Sequence, residues 1–61
     1  MREYTVGDIV TYIRDEEEDY AIPPQYMVTE IYSDILSKYS RVTNLETGAM
    51  YRDYYYCFSI V

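Results

Sequence analysis

The 61-residue sequence contains no histidine, no tryptophan, a single cysteine and only two glycines. A zinc site needs histidine or several cysteine ligands, so histidine-containing and four-cysteine zinc sites are both excluded. Cys57 has no second cysteine with which to form a disulfide inside the chain, and no histidine could activate its thiol. We therefore expect Cys57 to be a small buried apolar residue.

Long apolar runs are also lacking. No run of 18 apolar residues exists that could form a membrane-spanning helix. The first residues, Met-Arg-Glu-Tyr, are not followed by the apolar stretch of a signal peptide. An unpaired cysteine fits a reducing compartment. The expectation is one small domain, residues 1–61, that is cytoplasmic and does not associate with membranes, with the marginal stability of so short a chain.

Negative charge is concentrated in the first half of the chain. Residues 1–30 carry eight acids and two bases, so their net charge is 2 − 8 = −6, and residues 31–61 carry three of each. Five acids are consecutive: Asp15, Glu16, Glu17, Glu18 and Asp19. This acidic run (residues 15–19) repels nucleic acid and anionic lipid and attracts basic proteins. It lacks the spacing and central glycine of an EF-hand, so the sequence predicts no metal and no cofactor.

Strand-like segments alternate with turn signals along the chain. β-Branched and aromatic residues predict strands at 8–13, 26–32, 39–45 and 49–56, with a terminal piece at 57–61 that pairs separately. Pro23 and Pro24 place residues 15–25 in a loop. Residues 33–38 are a predicted turn with one helical turn at 34–36, and Gly48 closes a hairpin turn. Ile31 falls out of step with the alternation of its strand, which predicts a bulge near Glu30.

These predictions together indicate an all-β protein. No segment keeps a helical period over three turns, and the chain is too short for a β-sandwich. We expect a small barrel of about five short antiparallel strands, closed so that a tyrosine-rich sheet leaves no free edge.

The order of four motifs resembles the small SH3-like barrel proteins of Gram-positive phages and mobile elements. Those proteins begin with Val-Gly-Asp-x-Val, matched here by residues 6–10, and continue with Tyr-x-Val-x-x-Ile, matched by residues 26–31. A strand ending at a turn glycine (42–48) and a final Phe-x-x-Val (58–61) follow. The resemblance covers almost the whole chain and implies an SH3-like barrel in the cytoplasm of a host cell. It implies no activity, because such barrels serve many unrelated functions.

Two features outside the shared motifs are the candidate sites. The acidic run is either a docking surface for a basic partner or a solvated loop that keeps the protein soluble. The ten tyrosines either line a small core or form an exposed strip suited to protein contact. Strand alternation separates Tyr54, Tyr56 and Phe58 from Tyr51, Tyr55 and Cys57, and one of these two sets should be core. The candidate partner-binding residues are Asp15, Glu16, Glu17, Glu18, Asp19, Tyr20, Tyr51 and Tyr55.

The function that the sequence favours is non-enzymatic binding of another protein, with a basic, nucleic-acid-handling host factor as the natural partner. Paired carboxylates in a loop are not held at a fixed separation, and a barrel this small has little room for an active site. A rival hypothesis is nucleic-acid binding through the tyrosines with Arg41 and Arg52, which the net charge of −6 disfavours. A third hypothesis is a structural homo-oligomer.

Overall fold

Five antiparallel strands form one sheet in the computed structural model, which describes residues 3–16 and 22–61. The strands of the described residues are β1 (Ile9–Tyr12), β2 (Tyr26–Ser33), β3 (Lys38–Asn44), β4 (Met50–Tyr54) and β5 (Phe58–Ile60). One helical turn, α1 (Ile13–Glu16), follows β1, and a 3₁₀ turn (Tyr55–Cys57) joins β4 to β5. The prediction of an all-β fold with about five short antiparallel strands is confirmed.

The sheet is open. Its strand order is β4-β3-β2-β1-β5, so β4 and β5 are the outermost strands of the part of the chain that the structure describes. The predicted closure of the sheet is therefore wrong. The chain leaves β4 through the 3₁₀ turn instead of continuing as a strand, and β5 has only three residues, which pair with β1.

A bulge bends β2. The pairing of β2 with β3 shifts in register between Val28 and Glu30, which leaves Thr29 without a directly opposed residue. The Thr29 hydroxyl donates a hydrogen bond to the backbone carbonyl of Arg41 at 3.2 Å. The extra residue turns Ile31 toward the core, against which it packs. The bulge predicted from the misplaced Ile31 is confirmed.

The core lies on one face of the bent sheet. Its buried members are Tyr4, Val10, Tyr12, Tyr26, Val28, Val42 and Phe58. On β3 the buried side chains are Ser40 and Val42, whereas Tyr39 and Arg41 point to the opposite face. We call that opposite side of β2, β3 and β4 the outer face.

The 3₁₀ turn differs from the predicted strand 49–56. The strand ends at Tyr54, and the turn brings both Tyr55 and Cys57 against the core beside Phe58. The predicted alternation had placed Phe58 on the face opposite to Tyr55 and Cys57, and this is wrong. Tyr55 is held in the turn by its contacts with Tyr4, which lies 51 positions away in the sequence.

Two further local predictions are wrong. Asp15 and Glu16 belong to α1 and not to a loop, and Asp15 is buried. Residues 34–36 form no helical turn. Instead the Asp34 carboxylate accepts hydrogen bonds from the backbone amides of Leu36 and Ser37, both at 2.8 Å, which favours a side-chain-capped turn.

Candidate functional site

Four tyrosines lie side by side on the outer face and its continuation into the 3₁₀ turn: Tyr32, Tyr39, Tyr54 and Tyr56. We call them the tyrosine row. Strand register builds the row, because Tyr32 is directly opposite Tyr39 and Tyr39 directly opposite Tyr54. The bulge in β2 is what shifts the strand's alternation so that Ile31 faces inward and Tyr32 outward.

The rings of the tyrosine row are stacked. Ring centroids are 5.7 Å apart for Tyr32 and Tyr39, 5.1 Å for Tyr39 and Tyr54, and 5.4 Å for Tyr54 and Tyr56. The last pair is almost parallel, with 5° between the ring planes. Tyr32 and Tyr39 are half-buried, whereas Tyr54 is 38% exposed and Tyr56 71%. Electrostatic interaction with Tyr39 raises the pKa of the Tyr54 phenol above its usual value.

A charged row lies next to the tyrosine row. Glu30, Arg41 and Arg52 are opposite one another across β2, β3 and β4. Arg41 and Glu30 form an exposed ion pair at 3.7 Å. The Arg52 guanidinium lies 5.8 Å from the centroid of the Tyr39 ring, at cation–π distance. These three side chains carry a local charge of +1, opposite in sign to the charge of the whole chain.

Two methionines follow in a third row of the outer face. Met27 and Met50 flank Thr43 across the same three strands, and both are exposed. Methionine is flexible and polarizable, and it is common at surfaces that adapt to a partner. The outer face thus presents tyrosine, arginine and methionine together, three residue types enriched in protein interfaces.

A shallow cavity of about 410 Å³ adjoins the tyrosine row. It is lined on one side by Leu36 and Ser37 of the β2–β3 turn and by Lys38 at the start of β3. On the other side it is lined by Tyr54, Tyr55 and Tyr56. The Lys38 ammonium is 4.2 Å from the centroid of the Tyr55 ring. The cavity therefore combines an apolar wall with one cation beside the exposed end of the row.

Tyr55, a predicted partner-binding residue, is part of the structural core of the domain. Its ring stacks on that of Tyr4 at 4.1 Å. Its hydroxyl donates to the Tyr4 carbonyl at 2.8 Å and accepts from the Tyr4 amide at 2.9 Å. The hydroxyl thus both donates and accepts a hydrogen bond within the protein, and Tyr55 also lines the cavity.

Tyr51, the other predicted strand tyrosine, is exposed but lies on the core side of β4. It is paired with the buried Val42, and its ring meets Tyr26 edge-on with 5.9 Å between centroids. The structure therefore places Tyr51 and the tyrosine row on opposite sides of the same strand. The sequence does not show which side of β4 faces solvent, because tyrosines occur on both sides of the strand.

The acidic run begins in a structured place. The Asp15 carboxylate is buried and accepts a long hydrogen bond, 3.4 Å, from the Tyr26 hydroxyl. Glu16 ends α1. The described residues do not include Glu17, Glu18, Asp19 and Tyr20. The predictions that rest on these four residues therefore remain predictions. Ile13 and Arg14 of α1 line a cavity together with Tyr56, so α1 lies near one end of the tyrosine row.

Two ionisable groups in or beside the core, Tyr4 and Cys57, hold their protons more tightly than usual. Burial raises the pKa of the Tyr4 phenol to about 12. Burial, reinforced by the neighbouring Asp53 carboxylate, also raises the pKa of the Cys57 thiol. That thiol is only half-buried and lies 3.6 Å from Asp53 Oδ1, to which it donates. A thiol that stays protonated is a weak nucleophile. Within residues 3–16 and 22–61, acids and cysteine form no cluster of three suited to a metal ion.

The chain matches no protein-family model, and no curated protein or solved structure is significantly similar to it. Among the residues described by the structure, no helix is long and apolar enough to cross a membrane.

Proposed function

We propose that this protein is a non-enzymatic binding module that contacts another protein through the tyrosine row. The observation that carries the proposal is the stack of four tyrosine rings on the solvent side of the sheet. Tyrosine offers a large contact area at low cost in conformational entropy, and it dominates many binding interfaces.

The row is not needed to fill the core. The buried cluster lies on the other face of the sheet and contains none of the four row tyrosines. The row rings contact one another and Arg52, and two of them are more than a third exposed. A row of apolar rings in contact with water is the kind of patch that protein interfaces cover.

The acidic run supplies the second part of the proposed mechanism. Its charge attracts a basic surface over a longer range than the tyrosines can act, which raises the rate of association. Because α1 shares a cavity with Tyr56, this attraction draws a partner to the exposed end of the row. A basic host protein that handles nucleic acid fits this charge, and its binding should weaken as salt screens the run.

The fold we propose is an SH3-like barrel, related to those of Gram-positive phages and mobile elements. Three features support it: β1 lies between β2 and β5, a bulge bends β2 in its middle, and a 3₁₀ turn precedes the last strand. A bulged long strand allows a five-stranded sheet to curl around one small core without complete closure.

Capture of partners from nuclease-treated host lysate tests the proposal. The bait is the tagged wild type beside two variants, Tyr39→Ser/Tyr54→Ser in the row and Glu16/17/18→Gln in the acidic run. A bound protein should be basic. Its affinity should fall about tenfold or more in the row variant, as expected for loss of interface hot spots, and its association rate should fall in the acidic-run variant.

Tyr51→Ser is the matched control, because Tyr51 is an exposed tyrosine on the opposite side of β4. It should leave binding unchanged. If a partner binds the row variant but not Tyr51→Ser, the binding surface lies on the core side of β4 and not on the tyrosine row. If salt does not weaken binding and the Glu16/17/18→Gln variant binds as well as the wild type, the acidic run has no part in the mechanism.

Nucleic-acid binding is the second candidate, and one observation favours it. Arg41 and Arg52 lie on the same outer face as the stacked tyrosines, and such a combination can hold single-stranded nucleic acid. The net charge of −6 opposes this. The test is a gel shift with single-stranded DNA and RNA at low salt. A shift that is lost in Tyr39→Ser/Tyr54→Ser would show that the row binds nucleic acid and not a protein.

A further inference from the structure

The β2–β3 turn exposes two adjacent aliphatic side chains almost completely. Ile35 is 99% exposed and Leu36 91%. We call this pair the tip. A turn normally carries polar residues, since its side chains stay in water. Neither side chain packs into the core, so folding of the domain gives no reason for their apolar character.

The tip is held in a defined shape. The Asp34 carboxylate accepts the amides of Leu36 and Ser37 at 2.8 Å each, and the Asp34 amide donates to the Ser37 carbonyl at 2.9 Å. Such hydrogen bonds pre-organise the turn, so that docking its side chains costs little further ordering entropy.

An apolar pocket lies at the other end of the molecule. Its volume is about 400 Å³. Its apolar walls are Ile22, Pro23, Pro24 and Leu45, and its polar lining is Gln25, Asn44 and Glu46. Ile22 is 84% exposed and Leu45 51%. A backbone hydrogen bond of 3.1 Å from the Leu45 amide to the Gln25 carbonyl joins the two sides of this proline pocket. Its volume falls within the range of pockets that bind small molecules.

The tip and the proline pocket cannot meet within one molecule. Pro24 lies just before β2 and the tip just after it, and β2 is an eight-residue strand. At about 3.3 Å per residue, the strand separates them by roughly 26 Å. An aliphatic knob and an apolar pocket at opposite ends of one strand can engage only between two copies.

We propose that the protein self-associates head to tail, with the tip of one copy in the proline pocket of the next. This contact is heterologous, because different surfaces of the two copies meet, and it produces rings or linear assemblies. Each copy carries a charge of −6, so copies repel one another at low salt. Self-association should therefore strengthen with salt, whereas binding of a basic partner should weaken.

The test uses sedimentation of the wild type, Ile35→Asp and Leu45→Asp at low and high salt. In the tip, Ile35 is changed and Leu36 is kept, because Leu36 also lines the cavity beside the tyrosine row. Val6→Asp is the control, an exposed aliphatic residue outside both surfaces that receives the same charge. Circular dichroism checks that every variant is folded.

The proposal predicts that the wild type and Val6→Asp form oligomers that grow with concentration and salt. Each of the other two variants should be monomeric alone. Their equimolar mixture should form a one-to-one heterodimer and nothing larger, because one intact tip and one intact pocket remain. A monomeric wild type at high salt, a single variant that still associates, loss of assembly in Val6→Asp, or a mixture that stays monomeric would each overturn it.

Discussion

Individual tyrosines have two different roles in this domain, and their hydrogen bonds distinguish them. The Tyr4 hydroxyl donates to the Tyr55 carbonyl at 2.6 Å, so the bond of 2.7 Å to the fully buried Ser40 is donated by the serine. With its stacked ring and its two backbone hydrogen bonds, Tyr55 attaches the N-terminal segment to the 3₁₀ turn. Tyr56, the next residue, has a largely exposed ring and belongs to the tyrosine row.

Tyr55→Phe should destabilise the protein. The substitution keeps the stacked ring but removes the hydroxyl that pairs with the amide and the carbonyl of Tyr4. The expected loss is about 1–3 kcal/mol, since two part-buried backbone groups lose their partner. Urea unfolding would measure it, with Tyr56→Phe as the control that should change stability by less than about 0.5 kcal/mol. Equal unfolding midpoints for the two variants would contradict this role of Tyr55.

Stability should decrease with pH in the alkaline range because of Tyr4. Burial raises the pKa of its phenol from 10.0 to about 12 in the folded state, which therefore holds the proton more tightly than the unfolded state. This contribution is fully present below pH 10.0, and it is lost as the pH rises through about 12. Absorbance titration should show a tyrosine that ionises near pH 12 and that is missing in Tyr4→Phe. An unchanged titration curve in Tyr4→Phe would contradict the assignment.

At the level of elements, turn chemistry determines where strands end. The Asn44 side chain accepts the amides of Glu46 and Thr47 at 2.8 and 3.0 Å, and Gly48 takes a φ of +77°. On β4, Asp53 Oδ1 accepts the amide of Tyr54 at 2.8 Å and so satisfies one donor near the end of this outermost strand. Short polar side chains, Asn44 on β3 and Asp53 on β4, thus help to determine where these two strands end.

Gly48→Ala should destabilise the β3–β4 hairpin. Apart from the two chain neighbours, no atom of the described residues lies within 4 Å of the position that a Cβ would take, so the expected cost comes from the positive φ. A non-glycine residue in this conformation costs about 1–2 kcal/mol. Thermal unfolding should show this loss for Gly48→Ala and a smaller one for Gly48→Asn, because asparagine tolerates positive φ. An alanine variant as stable as the wild type would contradict the proposed conformation.

Local patterns in the sequence were sufficient for some elements and insufficient for others. The misplaced Ile31 was enough to predict the bulge, because a strand has a strict period of two. The run Tyr54-Tyr55-Tyr56 predicts a strand, because tyrosine favours strands. Its last two residues instead enter a 3₁₀ turn, where Tyr55 meets the distant Tyr4. A contact across 51 positions leaves no mark in the local pattern.

For the whole molecule, strand register decides which residues form a surface. Tyr32, Tyr39 and Tyr54 are separated in sequence and become neighbours only through the pairing of β2, β3 and β4. Composition predicted that exposed tyrosines would exist, but it could not distinguish the row from Tyr51 and Tyr55. The acidic run was evident from the sequence, yet the burial of Asp15 follows from its contact with Tyr26, 11 positions away.

The separation of charge is a property of the molecule as a whole. The chain has a net charge of −6, whereas Glu30, Arg41 and Arg52 give the middle of the outer face a charge of +1. The proposed mechanism therefore assigns long-range attraction to the acidic run and close contact to the tyrosine row. These two contributions should respond differently to salt, since close contact between aromatic rings is not screened.

The most direct test of the central claim is an NMR titration of isotope-labelled protein with the captured partner. The proposed function predicts amide shift changes concentrated at Tyr32, Tyr39, Arg52, Tyr54 and Tyr56, with little change in β1, β5 and the proline pocket. Changes concentrated in β1 and β5, with none along the tyrosine row, would contradict it.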